Sequence, residues 1–415
     1  MNIVFIHQNF PGQFKHLAPA LASSGHQVLA IGINKPAYPT PGVKVILHRP
    51  QYLNDKLPGK LNDELQDHHA KILRGRSVAN VLTKLKREGF VPDVICAHSG
   101  WGEAYFIKDV FPQTPLLVYA EYYYGGNGGD AHFDPEFFRQ SLADDQRLRL
   151  KNTHLLHALI EADCGLSPTL FQRDRHPSGL RDKIRVIHDG IDTNRFRPNP
   201  DASVSLKQAG LILTKADEVI TFVARELEPY RGYHIFMRAL PRLLELRPQA
   251  QVVIVGGSGV SYGAPPPEKK SWKDIFYREI AGQIDPKRVH FVGKVPHQNL
   301  TQLLQISSAH VYLTYPFVLS WSMMEAMSIG CLIIGSKTAP VEEFIEHEKT
   351  GLLVNFFSPM EIADTVAEAL KNRDKLQAIC TAARNLIVAQ YDLQMHSLPR
   401  QVAILQALGG KQCQL

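Results

Sequence analysis

The sequence predicts an α/β protein built from two Rossmann-like domains. Short apolar runs alternate with helical patterns along most of the chain, and a polar, proline-bearing stretch interrupts this alternation near residue 200. The length points the same way, because 415 residues are expected to form two domains of about 200 residues each. With 44% hydrophobic and 21% charged residues, the composition is that of an ordinary soluble globular protein.

Seven strand-like runs occupy the first half, at residues 3–6, 27–31, 43–47, 94–97, 116–120, 164–166 and 185–188. Amphipathic helical patterns lie between them, for example at 15–23 and 70–87. The first strand, turn and helix form a clear unit, with Gly25 as the expected helix stop. This order predicts a parallel sheet.

A second series of strand-like runs begins after a polar linker at 194–206, with runs at 219–224, 251–255, 289–292, 310–314 and 331–335. We therefore predict an N-terminal domain at 1–195 and a second domain at 196–385. A C-terminal helix at about 386–415 is expected to pack back on the first domain. The two domains are expected to face each other across a cleft, with ligands outside the carboxyl ends of the strands.

Charge and composition exclude several classes of function. The net charge of +6 is scattered along the chain, which argues against nucleic acid as a partner. The sequence contains no apolar run of membrane-spanning length, and the start MNIVFIH does not resemble a signal peptide. Five cysteines without a C-x-x-C pair argue against a zinc site. A cytoplasmic protein is predicted, and peripheral contact with an anionic inner membrane face stays open.

In the first half, a loop after a strand carries a candidate binding residue. Gly12 follows the strand 3–6 within HQNFPGQF and stands before a helix, where backbone N–H groups can approach an anion. A Pro-Gly turn without a ligand is the alternative. The loop lacks the G-x-G-x-x-G spacing of a dinucleotide site, which argues against a nicotinamide enzyme.

Three loops of the second half follow successive strands. Arg225 and Arg231 stand six residues apart in ARELEPYRGY, and two guanidinium groups at that spacing suit a diphosphate. A pair of solvated or salt-bridged arginines is the alternative. VIVGGSG places Gly257 in a turn after the next strand, and VHFVGKVP places Gly293 and Lys294 after the third.

One carboxylate, Glu325, interrupts the otherwise apolar stretch YPFVLSWSMMEAMSIGC. Ser322 stands three residues before it, which is the spacing of a capping box. A local role at a helix start is therefore the alternative to a role in binding.

The ordered motifs of the second half resemble the donor domain of glycosyltransferase family 4, retaining enzymes of the GT-B fold. The similar segments are ARELEPYRGY, VIVGGSG, VHFVGKVP, HVYLTYP with MEAMSIGCLIIGS, and TGLLV. IRVIHDGIDTNRFRP is similar to the family's segment at the domain junction. The resemblance covers most of residues 184–370, and in the first half it is confined to the FPGQF loop and the strand-helix alternation.

The resemblance implies roles for individual residues. Arg225 and Arg231 would hold the donor diphosphate, and Glu325 would accept hydrogen bonds from the nucleotide ribose. Backbone groups at 319–322, including those of Ser320 and Ser322, would meet phosphate or sugar at a helix N-terminus.

Two further positions matter for the sugar and the acceptor. Besides the glutamate at 325, the family usually carries another glutamate eight positions earlier, and it contacts the donor sugar. Here that position is Phe317. The sugar contact is therefore lost, or it is supplied by Ser320 or by the backbone. In the first half the family often places a histidine near the reacting carbon. VICAHSGWGE offers His98 and VYAEYYYGG offers Glu121 for that region.

The implied activity is transfer of a sugar from a nucleotide sugar to a hydroxyl of a carbohydrate, lipid-linked or small-molecule acceptor, in cell-surface polysaccharide, glycolipid or glycoconjugate synthesis. A UDP- or GDP-linked donor is expected, with no further cofactor. The sequence has no D-x-D motif, and a bound metal is not predicted. A sugar-nucleotide epimerase of the same fold and a degenerate nucleotide-sugar-binding protein, suggested by Phe317, are the alternatives.

Overall fold

A parallel sheet of seven strands forms the centre of the first unit, in the order β3-β2-β1-β4-β5-β6-β7. The computed structural model describes residues 1–51, 63–138, 141–267 and 270–410. The strands are β1 (Asn2–Ile6), β2 (Gln27–Gly32), β3 (Val43–Leu47), β4 (Val94–His98), β5 (Leu116–Tyr119), β6 (Cys164–Ser167) and β7 (Ile184–Val186). All seven strand-like runs of the first half are therefore strands.

Helices cover both faces of this sheet. They are α1 (Leu17–Ser23), α2 (Asp63–Arg87), α3 (Ile107–Val110), α4 (Leu142–Lys151), α5 (Thr153–Glu161), α6 (Leu170–Arg175) and α7 (Ser178–Arg181). Ile3 and Phe5 of β1 face one core, whereas Val4 and Ile6 face the other. Burial on both faces explains why the strand reads as a continuous apolar run, with each buried side chain contributing about 1.5–3 kcal/mol.

The second unit, Ile191–Leu393, contains a six-stranded parallel sheet in the order β12-β11-β10-β13-β14-β15. A small antiparallel hairpin, β8 (Ser203–Leu206) and β9 (Leu211–Thr214), precedes it. The sheet strands are β10 (Val219–Glu226), β11 (Gln251–Gly257), β12 (Val289–Gly293), β13 (Ala309–Tyr312), β14 (Ile333–Ser336) and β15 (Leu352–Val354). The hairpin corrects the linker prediction at its end, because Val204 and Leu206 pack on an apolar core.

The helices of this unit are α8 (Tyr233–Leu246), α9 (Trp272–Ile280), α10 (His297–Ile306), α11 (Trp321–Ile329), α12 (Ala339–Glu342), α13 (Pro359–Lys371) and α14 (Gln377–Tyr391). The last helix, α15 (Leu398–Gly409), belongs to the first unit. Its Leu405 and Leu408 enter the core that contains Ile3 and Phe5.

The chain thus divides into Met1–Gly190 with Gln394–Leu415, called unit 1, and Ile191–Leu393, called unit 2. The sequence placed the first boundary at 195/196 and the second near 385, so the structural boundaries lie several residues away from both. Two parallel α/β units confirm the predicted fold class. Among the helices of the described ranges, none is both long and apolar enough to span a bilayer.

Each sheet has a switch point, where successive strands begin to be added in the opposite direction. In unit 1 it lies between β1 and β4, and in unit 2 between β10 and β13. The loops after these strands leave the same edge of the sheet and diverge, which leaves a crevice for a ligand. Both candidate sites lie at such an edge.

Candidate active site

A pocket of about 400 Å³ lies at the carboxyl ends of the strands of unit 2. Its apolar lining consists of Val223, Ala224, Val255, Val295, Leu300 and Trp321. Its polar lining consists of Arg225, Lys294, His297, Ser320, Ser322 and Glu325. An apolar wall beside two cations and a carboxylate suits a ligand with a flat ring, hydroxyl groups and phosphates.

Glu325 is buried within α11 and takes no part in a capping box. The N-cap is Ser320, whose Oγ accepts a hydrogen bond from the N–H of Ser322 at 3.4 Å. The capping-box interpretation is therefore wrong, because the helix begins two residues earlier than it required and Glu325 is the fifth helical residue. Glu325 Oε1 lies 3.4 Å from Nε2 of His297, and the carboxylate lines the pocket.

The two predicted arginines differ in their surroundings. Arg225 lines the pocket with an exposed side chain. Arg231 is buried and is not among the pocket-lining residues. Its Nη1 donates to Thr314 Oγ1 at 2.8 Å and to the carbonyl of Val318 at 3.0 Å. The guanidinium also lies over the ring of Tyr262, 5.0 Å from its centroid. Arg231 therefore braces the loop between β13 and α11.

The glycine-rich turn after β11 is closed by a carboxylate of the protein itself. Glu226 Oε2 accepts a hydrogen bond from the N–H of Gly259 at 2.8 Å, and Oε1 pairs with Lys294 Nζ. A Cβ on Gly257 would lie 2.2 Å from Glu226 Oε2, so the absent side chain makes room for this carboxylate. Gly257 and Gly293 do not line the pocket, whereas Lys294 does.

Phe317, at the position of the missing acid, belongs to an aromatic cluster. Its ring centroid lies 5.6 Å from that of Tyr230 and 5.1 Å from that of Tyr262, and both contacts are edge-on. Tyr230 in turn packs on Tyr315 at 4.7 Å. An apolar cluster therefore occupies the place where the resemblance would put a carboxylate.

Unit 1 brings together His98 and Glu121, which the sequence proposed separately. His98 is the last residue of β4 and Glu121 follows β5, and Nε2 of His98 lies 3.6 Å from Oε2 of Glu121. Gln13 Nε2 donates to Glu121 Oε1 at 2.7 Å. Burial raises the pKa of Glu121, but His98 and the hydrogen bond from Gln13 lower it, so the net shift is downward and the group is a carboxylate.

Gly12 lies in the same region of unit 1, and the structure explains it without an anion. It has a φ of +46°, and a Cβ would lie 2.2 Å from Nε2 of His7. The buried His7 ring packs against this backbone, which only glycine allows at such a distance. Gly12 is not part of the unit 2 pocket.

Glu103 is another buried acid near this edge of unit 1. Burial raises its pKa to about 7, and its Oε1 lies 4.0 Å from Nε2 of His48. Neither group has a hydrogen-bond partner within the described part of the chain.

Sequence reasoning missed several residues that the structure places at these sites, among them His297, Trp321, His7, Gln13 and Trp101. For His7 and His297 a signal existed, since His7 directly follows β1 and His297 begins the helix that follows β12. The sequence carries no such signal for Gln13, because its partner Glu121 lies 108 residues further along the chain.

Two parallel α/β units with strand-end sites are the architecture of the GT-B fold, and solved structures share it. Sucrose-phosphate synthase from Thermosynechococcus elongatus superposes with a TM-score of 0.73 at 17% identity, over 99% of this chain and 100% of that chain. HepE of Anabaena, in complex with UDP and glucose, gives 0.68 at 19% identity, over 97% of this chain and 98% of that chain.

Family models identify the chain more closely. Residues 24–196 match the model described as Glycosyl transferase family 4 group, and residues 208–386 match Glycosyl transferases group 1. The two matches together cover most of both units. The chain belongs to glycosyltransferase family 4.

Two curated relatives match about half of the chain. The D-inositol 3-phosphate glycosyltransferase of Corynebacterium efficiens is 25% identical over 234 residues, which are 55% of this chain and 53% of that protein. The GDP-mannose-dependent alpha-(1-6)-phosphatidylinositol monomannoside mannosyltransferase of Mycobacterium tuberculosis is 27% identical over 237 residues, 53% of this chain and 56% of that protein. The chain thus spans about half the length of the curated relatives it matches.

Proposed function

We propose that this protein is a retaining glycosyltransferase that moves a sugar from a nucleotide-sugar donor to an acceptor hydroxyl. The observation that carries the proposal is the unit 2 pocket, where an apolar wall, Glu325, Arg225 and the N-terminus of α11 meet at the carboxyl edge of the sheet. A nucleoside diphosphate has a part that matches each of these features. Its base suits the apolar wall, its ribose diol suits Glu325, and its two phosphates suit Arg225 and the helix N-terminus.

In this proposal each group has a separate task. The base lies against Val255, Val295 and Leu300, and the ribose hydroxyls donate to Glu325. Arg225 and Lys294 bind the phosphates, and the positive end of the α11 dipole adds to their attraction. Arg231 supports the phosphate-binding edge without lining the pocket, because its Nη1 donates to Thr314 and to the carbonyl of Val318 and so holds the loop that leads to the N-terminus of α11.

The proposed reaction is a front-face substitution. The acceptor oxygen forms a bond to the anomeric carbon on the side from which the diphosphate departs, and the carbon–oxygen bond to the phosphate breaks with its electron pair. The hydroxyl proton passes to the leaving phosphate oxygen, so no external base or metal is required. The protein's contribution is to hold both partners and to stabilise charge on the departing diphosphate.

UDP and GDP sugars are the proposed donors. HepE was crystallised with UDP and UDP-glucose, and the mycobacterial relative is named as GDP-mannose-dependent, which supports both nucleotides. A carbohydrate, lipid-linked or small-molecule acceptor is proposed, used in cell-surface glycan or glycolipid synthesis at the cytoplasmic face of the membrane. The relative that acts on a phosphatidylinositol mannoside supports an acceptor of this kind.

A thermal-shift panel tests the donor assignment. UDP, GDP, UDP-glucose and GDP-mannose are added to the native protein, and at least one is expected to raise the melting temperature, since a ligand at a hundred times its Kd stabilises by about 2.7 kcal/mol. Arg225→Ala is expected to weaken that nucleotide about tenfold to a hundredfold. Arg278→Ala, an exposed arginine of α9 outside the pocket, is the matched control and should bind normally. A panel in which no nucleotide stabilises the protein contradicts the proposal.

A further inference from the structure

Glu121 is the surface-reaching member of a buried polar network in unit 1. In the described structure, 30% of its side chain is exposed, against none of the His98 side chain. Gln13 Nε2 donates to its Oε1 at 2.7 Å, and the Gln13 Oε1 is 2.8 Å from Nε2 of His7. The network therefore runs from the end of β1 to the end of β5 and stops at a carboxylate that solvent can reach.

The directions of these hydrogen bonds follow from the backbone. The N–H of Asn9 donates to His7 Nδ1 at 3.0 Å, and burial lowers the pKa of His7 to about 3, so the neutral ring carries its proton on Nε2. That proton is donated to Gln13 Oε1, which turns the amide nitrogen of Gln13 toward Glu121. His7 thus sets the orientation of the Gln13 amide, and Gln13 sets the orientation of the carboxylate.

His98 contributes a second, unused donor beside the same carboxylate. The N–H of Gly100 donates to His98 Nδ1 at 3.0 Å, so a neutral ring carries its proton on Nε2. Nε2 is buried and has no hydrogen-bond partner within the described ranges; at 3.6 Å, Glu121 Oε2 is just too far. A ligand hydroxyl can therefore reach Glu121, whose side chain is 30% exposed, whereas the enclosed His98 contributes only its ring beside the carboxylate.

Trp101 provides an aromatic surface against the same two imidazoles. Its half-buried ring stacks on His98 at 4.5 Å between centroids and meets His7 edge-on at 4.9 Å. A ring with apolar C–H faces and equatorial hydroxyls fits an indole beside a carboxylate, because one side of such a ring is apolar and its rim is polar. A phosphate at the same place would meet the negative charge of Glu121.

We propose that Gln13, held by His7, is a positioning residue that aims Glu121 at a hydroxyl of a neutral cyclic polyol lying on Trp101. The inference rests on the proposed function, because that polyol is the sugar acceptor. The part of the acceptor that lies on Trp101 is then an uncharged sugar or cyclitol ring. Gln13 and His7 act by orienting Glu121 and do not contact the reacting atoms.

The test compares two glutamines of one loop. Gln13→Met removes both hydrogen bonds at nearly constant volume, and Gln8→Met is the matched control, since Gln8 lies on the same loop and its Oε1 has no partner in the described structure. Transfer is followed by nucleotide release at saturating donor, with methyl α-glucoside, myo-inositol and myo-inositol 1-phosphate as acceptors. We expect Gln13→Met to raise the KM for the neutral acceptor about tenfold to a hundredfold. The donor KM of Gln13→Met should be unchanged, and Gln8→Met should have the wild-type KM for both donor and acceptor.

A second variant separates positioning from packing. His7→Gln keeps a donor near the place of Nε2 and is expected to retain more acceptor affinity than His7→Leu at equal melting temperature. An unchanged acceptor KM in Gln13→Met, or preferential use of the phosphate-bearing acceptor, would overturn the inference.

Direct binding keeps the inference testable if no transfer is found. Saturation-transfer difference NMR measures myo-inositol and methyl α-glucoside on the wild type and Gln13→Met without any donor. We expect a signal from the wild type that falls in the variant. Nucleotide binding without polyol binding overturns this inference alone, whereas polyol binding without nucleotide binding overturns the donor proposal and leaves the Gln13 assignment standing.

Discussion

In unit 2 the two cations that line the candidate pocket are exposed, whereas in unit 1 the buried side chains of His7 and His98 enclose a network that ends at one partly exposed carboxylate. Lys294 pairs with Glu226 but has 62% of its side chain exposed, and Arg225 is exposed as well, so solvent and ligands can reach both cations. In unit 1, His7, His98 and Gln13 converge on one carboxylate. The difference lies in order: the cations of unit 2 are free to adapt to a ligand, whereas hydrogen bonds fix the orientation of the carboxylate in unit 1 before a ligand arrives.

The largest difference we expect between the units is their response to acid. Burial lowers the pKa of His7 and His154 to about 3 and that of His48 and His188 to about 4, all in unit 1. Their stabilising effect is complete above the ordinary pKa of 6.5 and is lost as the pH falls toward 3–4, by about 1.4 kcal/mol per pH unit for each group.

In unit 2, His310 has a comparable shift, to about 4. Glu103 of unit 1 acts in the opposite direction, because its raised pKa of about 7 favours the folded state as the pH falls from 7 toward 4.5. Hydrogen exchange at pH 7 and pH 5, corrected for intrinsic rates, should show a larger loss of protection in β1 and β4 than in β10 and β13. Equal losses in the two sheets would contradict the comparison.

A substitution at Gly12 tests the packing of unit 1. Gly12→Ala places a Cβ 2.2 Å from His7 Nε2 at a φ of +46°, and we expect a loss of about 3 kcal/mol in the free energy of unfolding, measured by exchange protection in β1. Gly25→Ala is the matched control, because Gly25 also has a positive φ but nothing within 4 Å of the added atom, so its cost should be about 1 kcal/mol. Similar costs at the two positions would show that His7 yields.

Glu325 tests the donor pocket alone. Glu325→Gln keeps the shape but removes the negative charge, and we expect the nucleotide identified in the panel to bind about tenfold to a hundredfold more weakly by calorimetry. Glu342→Gln, an exposed acid of α12 in the same unit, should bind as the wild type does. Polyol binding to unit 1 should be unaffected, and a parallel loss there would show that the sites are not separable.

The smallest effect is expected at Arg231. Lysine cannot donate to Thr314 and Val318 from one planar group, so Arg231→Lys should loosen the 314–318 loop and weaken donor binding about three- to tenfold. Arg278→Lys is the control. Faster amide exchange in that loop with normal donor affinity would restrict Arg231 to a structural role. If neither the exchange rate nor the donor affinity changes, Arg231 has no role in the loop or in donor binding.

Much of the fold could be predicted because the inner strands of both sheets are buried on both faces and therefore read as short apolar runs. The residues of the candidate pocket were predictable for a related reason. Arg225 lies at the end of β10, Lys294 directly follows β12 and Glu325 lies in the helix after β13, and these parallel strands end at one edge of the sheet. The capping box failed because serine at 320 and serine at 322 offer the same local chemistry, and only the path of the chain into α11 selects the first.

The amino-acid sequence by itself determined the two α/β units and the family, because strand periodicity and the ordered motifs are local. Only the tertiary structure decided that Arg231 turns inward, that Phe317 enters an aromatic cluster, and that Gln13 reaches Glu121. These outcomes depend on contacts between residues far apart in sequence, whose geometry is set when several strands and loops pack together. A short window of sequence carries no record of that packing.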